Sequence, residues 1–300
     1  KATRIDDARG RYIEYAKQSV GAGDLAGMKI VVDCGHGAAY LLAPLIFKEL
    51  GAKVVKLGVE PDGLNINEGC GALHPDHAGR VVREQGADLG ISFDGDADRV
   101  IFTDETGASV SGDRILTLCA LALMEEGKLR GATMACTVMS NLGLHEALRA
   151  AGIAVLTTAV GDRHVIEALR AGGYSFGGEN SGHLIFADHA TTGDGILSAL
   201  QVLRIMKRRG QPLSVLAQVM REYPQSLVNL KVRAKPPLES LPRLQATLRE
   251  ADAQFGDLGR HLIRYSGTEH KVRILVEHRD ADVVDAWSTR LRGVIEQELA

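Results

Sequence analysis

Short apolar runs alternate with helix-like stretches over the first part of the chain. The strand-like runs are Lys29–Cys34, Lys53–Leu57 and Asp88–Phe93. Between them, apolar residues recur at helical spacing, as in Ala78–Gln85. A strand, a helix and a strand in this order are typical of β–α–β units. The segment 100–111 has the pattern of a hairpin. We therefore predict a mixed α/β domain over residues 1–111.

The same alternation begins again after the hairpin. Strands are predicted at Met134–Val138 and Ile153–Thr158, and helices at Asp113–Glu126, Asn141–Ala151 and Asp162–Ala171. Thr191–Gly195 then precedes a long helix and contains residues that are typical of a helix N-cap. The repeated order predicts a second α/β domain, similar to the first, over residues 112–222.

The composition changes after Gln211 and Pro212, and prolines become frequent. The predicted elements are a strand at Ser226–Val232, a helix at Pro242–Ala253, strands at His261–Tyr265 and Val272–Glu277, and a helix at Ala281–Leu299. Here antiparallel strand pairs and helices are not in strict alternation, which is typical of α+β folds. We predict a smaller C-terminal α+β domain over residues 223–300.

Composition and charge limit the kinds of partner. The 300 residues are 45% apolar, enough for several domains with real cores, and the formal net charge of −3 argues against nucleic acid as a partner. No membrane partner is expected, because no run approaches the length of a spanning helix. The four cysteines form no Cys-x-x-Cys pair, so we expect reduced thiols in a cytoplasmic protein. The sequence leaves oligomerisation open.

Three carboxylates alternate directly after the third predicted strand, at Asp94, Asp96 and Asp98. On an extended strand they would lie roughly 6–7 Å apart, too far for one small ion. Gly95 and Ala97 are small enough to let the loop curl, and Gly95 can adopt positive φ. Crowded carboxylates repel, and a hard divalent cation removes that conflict. Oxygen ligands without His or Cys favour Mg²⁺, Mn²⁺ or Ca²⁺.

Three other interpretations of this acidic loop fit its residues less well. An EF-hand needs glycine at its sixth position, where this chain has Arg99, and it needs helices where the flanks resemble strands. An aspartyl-nucleophile phosphatase has Asp-x-Asp after its first strand, but usually with Thr or Val where Asp98 stands. A plain acidic surface turn rarely places three alternating aspartates after a buried strand.

A second polar segment, Gly177–His183, lies between two short predicted strands. Its carboxylate, amide and hydroxyl groups suit sugar hydroxyls, and they belong to Glu179, Asn180 and Ser181. Its glycines would let the backbone approach a ligand closely. His183, beside Glu179 and Ser181, is a candidate proton shuttle, although a lone histidine is more often structural. The alternative for the whole segment is a polar hairpin turn.

A third segment joins the last two predicted strands. Arginines flank a Ser-Gly-Thr turn there, and the residues that could bind an anion are Arg264, Ser266, Gly267, Thr268 and Arg273. Guanidinium groups bind phosphate in a planar, bidentate way, and turn amides can add further donors. A phosphate site is therefore predicted, with a plain hairpin as the alternative. Together, a cation loop, a hydroxyl-binding loop and a phosphate loop indicate phosphosugar chemistry.

The three segments resemble those of a known family. DGDADR at 94–99, GGENSGH at 177–183 and RYSGTE at 264–269 are similar to the metal, sugar and phosphate loops of the α-D-phosphohexomutases. DHATTGDG, VGDRHV, EPDGLNIN and the opening RIDDARGRY resemble the bacterial branch that acts on glucosamine phosphates. The resemblance extends over essentially the whole chain.

The resemblance implies a four-domain enzyme that interconverts glucosamine 6-phosphate and glucosamine 1-phosphate. The implied route passes through a phosphoserine and a 1,6-bisphosphate, and the product serves cell-wall synthesis. Mg²⁺ would be held by Asp94, Asp96 and Asp98, with Arg99 near the reacting phosphoryl group. Glu179 and Ser181 would bind sugar hydroxyls, Asn180 would influence amino-sugar choice, and His183 would be the acid/base. The phosphate that is not transferred would be gripped by Arg264, Ser266, Gly267, Thr268 and Arg273.

The chain also departs from the family pattern. His270 stands where the family usually has proline, and no segment resembles the loop that carries the phosphorylated serine. The helix beginning near Arg4 resembles the start of the second domain, so a missing N-terminal domain is an expected partner. We expect negligible turnover by this chain alone and, at most, weak metal occupancy. A non-catalytic phosphosugar-binding module, or a phosphomannomutase or phosphoglucomutase, are the alternatives.

Overall fold

A computed structural model describes residues 7–21, 24–266 and 269–299. The chain divides into two compact units. The N-terminal unit contains the chain up to Ser140 together with Leu144–Met220, and the C-terminal unit contains Asn141–Gly143 and the chain from Arg221 onward. The predicted mixed α/β architecture is confirmed. The boundaries 1–111, 112–222 and 223–300 stay a prediction, because the first two predicted domains lie in one compact unit.

The first sheet of the N-terminal unit has five strands. They are β1 (Lys29–Asp33), β2 (Lys53–Leu57), β3 (Leu89–Phe93), β4 (Val100–Thr103) and β5 (Ser109–Val110), in the order β2-β1-β3-β4-β5. Strands β1, β2 and β3 are parallel, while β4 and β5 complete the sheet as an antiparallel hairpin. The accompanying helices are α1 (Ala8–Gln18), α2 (Leu42–Glu49) and α3 (Pro75–Gln85). Every residue of β3 is buried, which explains its continuous apolar pattern.

The second sheet follows the same plan with four strands. They are β6 (Thr133–Thr137), β7 (Ala154–Thr158), β8 (Phe176–Gly178) and β9 (Leu184–Phe186), in the order β7-β6-β8-β9. Only the pairing of β8 with β9 is antiparallel. The helices are α4 (Gly112–Glu125), α5 (Leu142–Ala150), α6 (Asp162–Gly172), α7 (Gly195–Arg209) and the short α8 (Leu213–Leu216).

One large core joins the two sheets of the N-terminal unit. It includes Phe93 and Phe102 from the first sheet and Phe176 from the second, together with most of α4 and α7. Helix α7 contacts both β4 and β9. A helix that is apolar on nearly all sides must be buried on all sides, and α7 is buried between the two sheets in this way.

The C-terminal unit is built on a three-stranded antiparallel sheet. Its elements are β10 (Gln225–Lys231), α9 (Pro242–Phe255), β11 (Gly259–Tyr265), β12 (Lys271–His278) and α10 (Ala281–Leu299), with the strand order β10-β12-β11. Both helices contact the sheet, and a separate core forms around Phe255 and Trp287. In the described part of the chain, no helix is long and apolar enough to cross a membrane.

Candidate functional site

The acidic loop leaves the carboxyl end of β3, in the first sheet, and it curls as predicted. One carboxylate oxygen each of Asp94, Asp96 and Asp98 lies within 4.8 Å of the others. Ala97, and not Gly95, adopts the left-handed conformation in this loop, with φ of 64°. Close packing against the Gly95 backbone requires a glycine at position 37. A Cβ on the neighbouring Gly37 would lie only 2.3 Å from the Gly95 carbonyl oxygen.

Arg99 and burial set the electrostatics of this loop. Arg99 Nε donates to Asp94 Oδ2 at 2.7 Å, and the Arg99 backbone N–H donates to Asp94 Oδ1 at 3.1 Å. Burial, and then the charge of Asp94, raises the pKa of Asp98 above its usual range. Asp98 Oδ1 is buried and makes no hydrogen bond to the described residues, with Arg99 Nε 3.4 Å away. An all-oxygen donor set with a buried oxygen awaiting a partner fits a hard divalent cation.

The second polar segment connects β8 to β9. Gly177 and Gly178 were expected in a ligand-binding loop, but both lie in β8. Their small size serves packing, since a Cβ on Gly177 would lie 2.5 Å from the Ala135 carbonyl oxygen. The Glu179 carboxylate accepts a hydrogen bond from the Gly161 N–H at 3.0 Å, at the start of α6. That position is favourable for a negative charge, because the amino end of a helix carries partial positive charge.

The next residues of this segment differ in exposure. Asn180 Nδ2 donates to the Met139 carbonyl at 3.2 Å, and a Cβ on Gly112 would lie 2.2 Å from the Asn180 carbonyl oxygen. Asn180 is therefore held firmly against β6 and α4. Ser181 is exposed and lies at the tip of the turn, where a ligand hydroxyl could reach it.

His183 turns inward from the same segment. Its side chain is only 3% exposed, with Nδ1 3.3 Å from Asp98 Oδ2. Its Nε2 accepts a hydrogen bond from the Gly193 N–H at 3.2 Å. Both ring nitrogens therefore face protein atoms, whereas an acid/base beside Glu179 and Ser181 was expected. A proton-transfer role for His183 stays a prediction. The structure shows that its ring contacts Asp98 of the metal loop.

Other hydrogen bonds connect the acidic loop and the start of β4 to the turn between β8 and β9 and to the start of α7. The Val100 N–H donates to the Gly182 carbonyl at 3.1 Å, and the Gly195 N–H donates to the Ala97 carbonyl at 2.9 Å. An open cleft of about 260 Å³ adjoins Asp96 and Asp98. The metal and sugar loops thus meet at one place in the N-terminal unit.

Sequence reasoning missed one residue pair that borders the cleft. The Tyr12 hydroxyl, from α1, lies 2.9 Å from both carboxylate oxygens of Asp194. Asp194 also accepts from the Leu197 N–H at 2.9 Å and caps α7, so the predicted N-cap is confirmed. Burial, and then the charge of Asp194, raises the pKa of Tyr12. The capping pattern was visible in the sequence, but nothing local connected it to Tyr12.

The predicted phosphate segment lies in the C-terminal unit. Arg264 and Arg273 stand directly opposite each other in the β11–β12 pair, and like charges so placed repel. Burial, and then the charge of Arg273, lowers the pKa of Arg264. Arg273 Nε is buried and has no hydrogen-bond partner among the described residues. An anion between the two guanidinium groups would relieve both conflicts.

Two further features complete the described part of this segment. Ser266 is 3% exposed, and its carbonyl accepts a hydrogen bond from Lys235 Nζ at 2.6 Å. Sequence reasoning missed Lys235, which brings a third cation beside the turn. Gly267 and Thr268, which were also predicted to bind phosphate, lie outside the described residues.

The acidic loop follows a parallel strand of one mixed sheet and contacts the polar turn of a second mixed sheet. An α+β unit with paired arginines comes next in the chain. This arrangement is that of the phosphohexomutase class. Residues 10–107 match the alpha/beta/alpha domain II of the phosphoglucomutase/phosphomannomutase family. Residues 111–223 match its alpha/beta/alpha domain III, and residues 227–294 match its C-terminal domain. The chain belongs to this family.

Relatives with about 50% sequence identity to this chain are named phosphoglucosamine mutase. The chain is similar to the phosphoglucosamine mutases of Geotalea daltonii (51% identical) and Syntrophotalea carbinolica (52% identical), over all of this chain and 66% of each relative. The phosphoglucosamine mutase of Sorangium cellulosum is 52% identical, and 63% of its length is covered. The chain thus spans slightly less than two thirds of the relatives that it matches.

Solved structures have the same fold. A phosphoglucomutase/phosphomannomutase family protein from Burkholderia thailandensis superposes with a TM-score of 0.79 at 26% identity, covering 96% of this chain and 64% of that protein. The Aspergillus fumigatus N-acetylphosphoglucosamine mutase, solved with GlcNAc-6P and magnesium, gives a TM-score of 0.74 at 22% identity, covering 95% of this chain and 69% of that one. At this low identity the second comparison supports the fold alone.

Proposed function

We propose that these residues are domains II to IV of a phosphoglucosamine mutase, which interconverts glucosamine 6-phosphate and glucosamine 1-phosphate. The observation that carries the proposal is the cluster of Asp94, Asp96 and Asp98, with ligand oxygens within 4.8 Å of one another and hydrogen-bonded neighbours in the sugar loop. The relatives at about half identity support the choice of sugar. Transfer would proceed through a phosphoserine and a 1,6-bisphosphate.

In this proposal the acidic loop holds Mg²⁺. When bound, the ion neutralises charge on the phosphoryl group during transfer. Asp94, Asp96 and Asp98 supply oxygen ligands, and Arg99, at the end of the loop, directs its guanidinium charge toward the same group. The short contact between Arg99 and Asp94 keeps that guanidinium beside the reacting centre. A guanidinium held in a fixed position stabilises the transition state well, because it does not have to move when charge develops on the phosphoryl group.

The sugar would be oriented by the segment between β8 and β9. Glu179 accepts hydrogen bonds from sugar hydroxyls, and the Gly161 N–H already fixes its carboxylate. Ser181 is exposed at the turn and can donate to or accept from a hydroxyl. Asn180 influences the choice of an amino sugar through the turn whose position it fixes on Met139.

The phosphate that is not transferred would bind in the C-terminal unit. Arg264 and Arg273 face each other across β11 and β12, which is unfavourable without an anion and favourable with one. Ser266 belongs to the same turn, and the family resemblance adds Gly267 and Thr268.

The proposal requires an additional N-terminal domain that carries the serine. The loop after β2 exposes apolar side chains near the acidic loop, with Leu64 93%, Leu73 65% and Ile66 54% exposed. Such an apolar surface would not bind a polar phosphosugar, whereas a docked protein domain would bury it. All four cysteines are buried thiols, which supports a reducing, cytoplasmic setting.

Competition among sugar phosphates tests the proposal. The full-length protein with its N-terminal domain should convert glucosamine 6-phosphate faster than glucose or mannose phosphates in a Mg²⁺ buffer. Equal rates on all three would contradict the sugar assignment. Binding of the phosphosugar without any conversion would instead identify a non-catalytic module.

A further inference from the structure

We propose that the N-terminal unit has a second binding site, a basic cavity separate from the acidic loop, which binds a small phosphate monoester. The cavity has a volume of about 420 Å³ and lies among the end of α1, α4, α7 and the segment after β9. The residues that line it include Ser19, Leu123, Lys128, Phe186, His189 and Arg204. The site does not depend on the proposed function, because its described lining includes no residue of the acidic loop or the sugar loop.

The basic cavity and the acidic loop lie at opposite ends of the β8–β9 hairpin. The residue after the acidic loop is hydrogen-bonded to the turn of this hairpin, whereas the cavity meets its open end, at Ser175 and His189. Helix α7 spans the distance between them. Its first residue, Gly195, is hydrogen-bonded to Ala97, and Arg204 lies nine positions later, roughly 14 Å along the helix axis. One small ligand therefore cannot occupy both places.

The ionic groups around the basic cavity leave an excess of positive charge. Lys128 Nζ and Arg204 Nη1 each donate to the carboxylate of Glu126 at 2.8 Å. Arg208 Nη1 donates to the same carboxylate at 2.6 Å. One negative charge thus faces three positive charges. A ligand with two negative charges would balance them, and a phosphate monoester carries close to that charge at neutral pH.

His189 lies in the field of these cations. Burial lowers the pKa of His189, and the charges of Arg204 and Lys128 lower it further, against the opposing charge of Asp188. Asp188 is itself paired with Arg130. The histidine is therefore neutral at pH 7, and a neutral imidazole can donate one N–H to a bound anion.

Arg204 is held in a fixed position at the cavity wall. Its Nε donates to Gln201 Oε1 at 3.2 Å, and Gln201 Nε2 donates to the Ser19 carbonyl at 3.3 Å. Its Nη1 is bound to Glu126, whereas its Nη2 makes no hydrogen bond to the described residues. A fixed guanidinium with donors to spare suits phosphate oxygens, because little side-chain entropy is lost when they bind.

The size of the cavity favours a ligand with an organic part. Small-molecule sites commonly have volumes of about 300–1,000 Å³, and this cavity is larger than a single phosphate group needs. Part of its wall is apolar, with Val20, Leu123 and Phe186. The cations would bind the phosphate, and this apolar wall would contact the carbon skeleton of the ester.

The ring of His189 provides a local reporter for the test. Nuclear magnetic resonance follows its Cε1 signal, assigned with His189→Gln, while the 300-residue chain is titrated with ribose 5-phosphate at constant ionic strength. The signal should shift in a saturable way, and the pKa of His189 should rise, because a bound anion stabilises the charged ring. Inorganic phosphate should bind at least about fivefold more weakly, because it leaves the apolar wall uncovered.

Substitutions at the cavity wall identify the groups that bind the anion. Arg204→Gln and Lys128→Gln should each weaken ribose 5-phosphate binding at least about tenfold, because each removes a charged donor. Arg208→Gln is the matched control. Arg208 contacts the same Glu126 carboxylate but is not among the described lining residues, so its loss should change the affinity by less than about threefold. Arg264→Ala, in the C-terminal unit, should leave the His189 response unchanged.

A His189 signal that responds no more to ribose 5-phosphate than to sodium chloride at equal ionic strength would overturn the site. Urea unfolding shows which variants are folded, and Lys128 is 58% exposed, so Lys128→Gln is not expected to unfold the chain. Unweakened binding by folded Lys128→Gln would also overturn the site. Equal affinities for inorganic phosphate and ribose 5-phosphate would overturn the assignment of a monoester.

Discussion

At Ala97 the backbone adopts a φ of 64°, a conformation that an L-residue with a branched side chain rarely accepts. The strain lies between two proposed metal ligands, Asp96 and Asp98. The left-handed conformation costs a residue with a Cβ about 1–2 kcal/mol of strain. Glycine avoids this strain but loses a comparable amount of free energy, because its more flexible chain loses more entropy on folding. Alanine is therefore a compromise that keeps the loop curled without making it flexible.

Substitutions at Ala97 should reveal this strain. Ala97→Gly should change the free energy of unfolding by less than about 1 kcal/mol, because relief of strain and loss of chain entropy oppose each other. Ala97→Val should lower the free energy of unfolding by about 2 kcal/mol, because a β-branched side chain crowds the left-handed conformation. Urea titration followed by circular dichroism measures both. Equal stability of the two variants would show that the loop relaxes easily.

A second prediction at this scale concerns the opposed arginines. Arg264→Ala should weaken glucosamine 6-phosphate binding by about 2–4 kcal/mol, because the phosphate loses a charged donor. The same change should not destabilise the fold, since it removes repulsion with Arg273. Calorimetric titration of the chain measures the affinity, with Arg249→Ala, at an exposed position of α9, as the control. Unaltered affinity would favour a plain hairpin at this position.

At the scale of elements, salt bridges join α4 to α7. Glu126, at the end of α4, accepts from Arg204 Nη1 at 2.8 Å and from Arg208 Nη1 at 2.6 Å, both on α7. Burial by itself raises the pKa of Glu126, but hydrogen bonds from Lys128 and Arg204 outweigh it and lower the pKa to about 2. The two helices that link the sheets are therefore also held by an ionic cluster around the nearly buried carboxylate of Glu126.

The depressed pKa makes this contribution depend on pH. Glu126→Gln should lower the free energy of unfolding by about 2–3 kcal/mol at neutral pH. Because the folded-state pKa lies below the unfolded one, the contribution is present above about pH 4.5 and disappears as the pH falls toward about 2. Urea unfolding of both proteins at several pH values measures the difference. Glu125→Gln, which affects an exposed pair with Arg209, should cost less than about 1 kcal/mol.

At the scale of the whole molecule, we propose that the described site is one part of a larger enzyme. The chain spans 66% of the length of two phosphoglucosamine mutase relatives, and the matched domains are II, III and IV. The loop after β2 exposes leucine and isoleucine side chains near the acidic loop. In our proposal the reaction is completed by a domain docked there.

The isolated chain should therefore have negligible mutase activity. We expect no detectable conversion of glucosamine 6-phosphate by the purified 300 residues, while the full-length protein turns over and loses its Mg²⁺-dependent activity on Asp96→Ala. A coupled assay for glucosamine 1-phosphate measures both. Robust turnover by the chain alone would mean that the nucleophile lies within it, and an active Asp96→Ala protein would remove Asp96 from the metal site.

Local patterns predicted most of the elements. The alternation of buried strands with amphipathic helices depends on neighbours in sequence, and Val100–Thr103 and Ala281–Leu299 have the predicted bounds. The strand before the second polar segment, predicted over Tyr174–Phe176, lies at Phe176–Gly178 instead, because glycines signal a turn when read alone. These glycines lie in the strand because β6 and β9 approach them closely, and that approach depends on tertiary packing.

The sequence by itself determined the order of the elements, the position of the acidic loop after a buried strand and the chemistry of the three polar segments. These features follow from residue type and short-range spacing. They depend little on residues that are distant in the sequence. Tertiary structure alone decided that His183 faces Asp98 and that Tyr12 meets Asp194 across 182 positions. Such contacts depend on how helices and sheets pack, and no local pattern encodes the partner of a side chain that lies on another element.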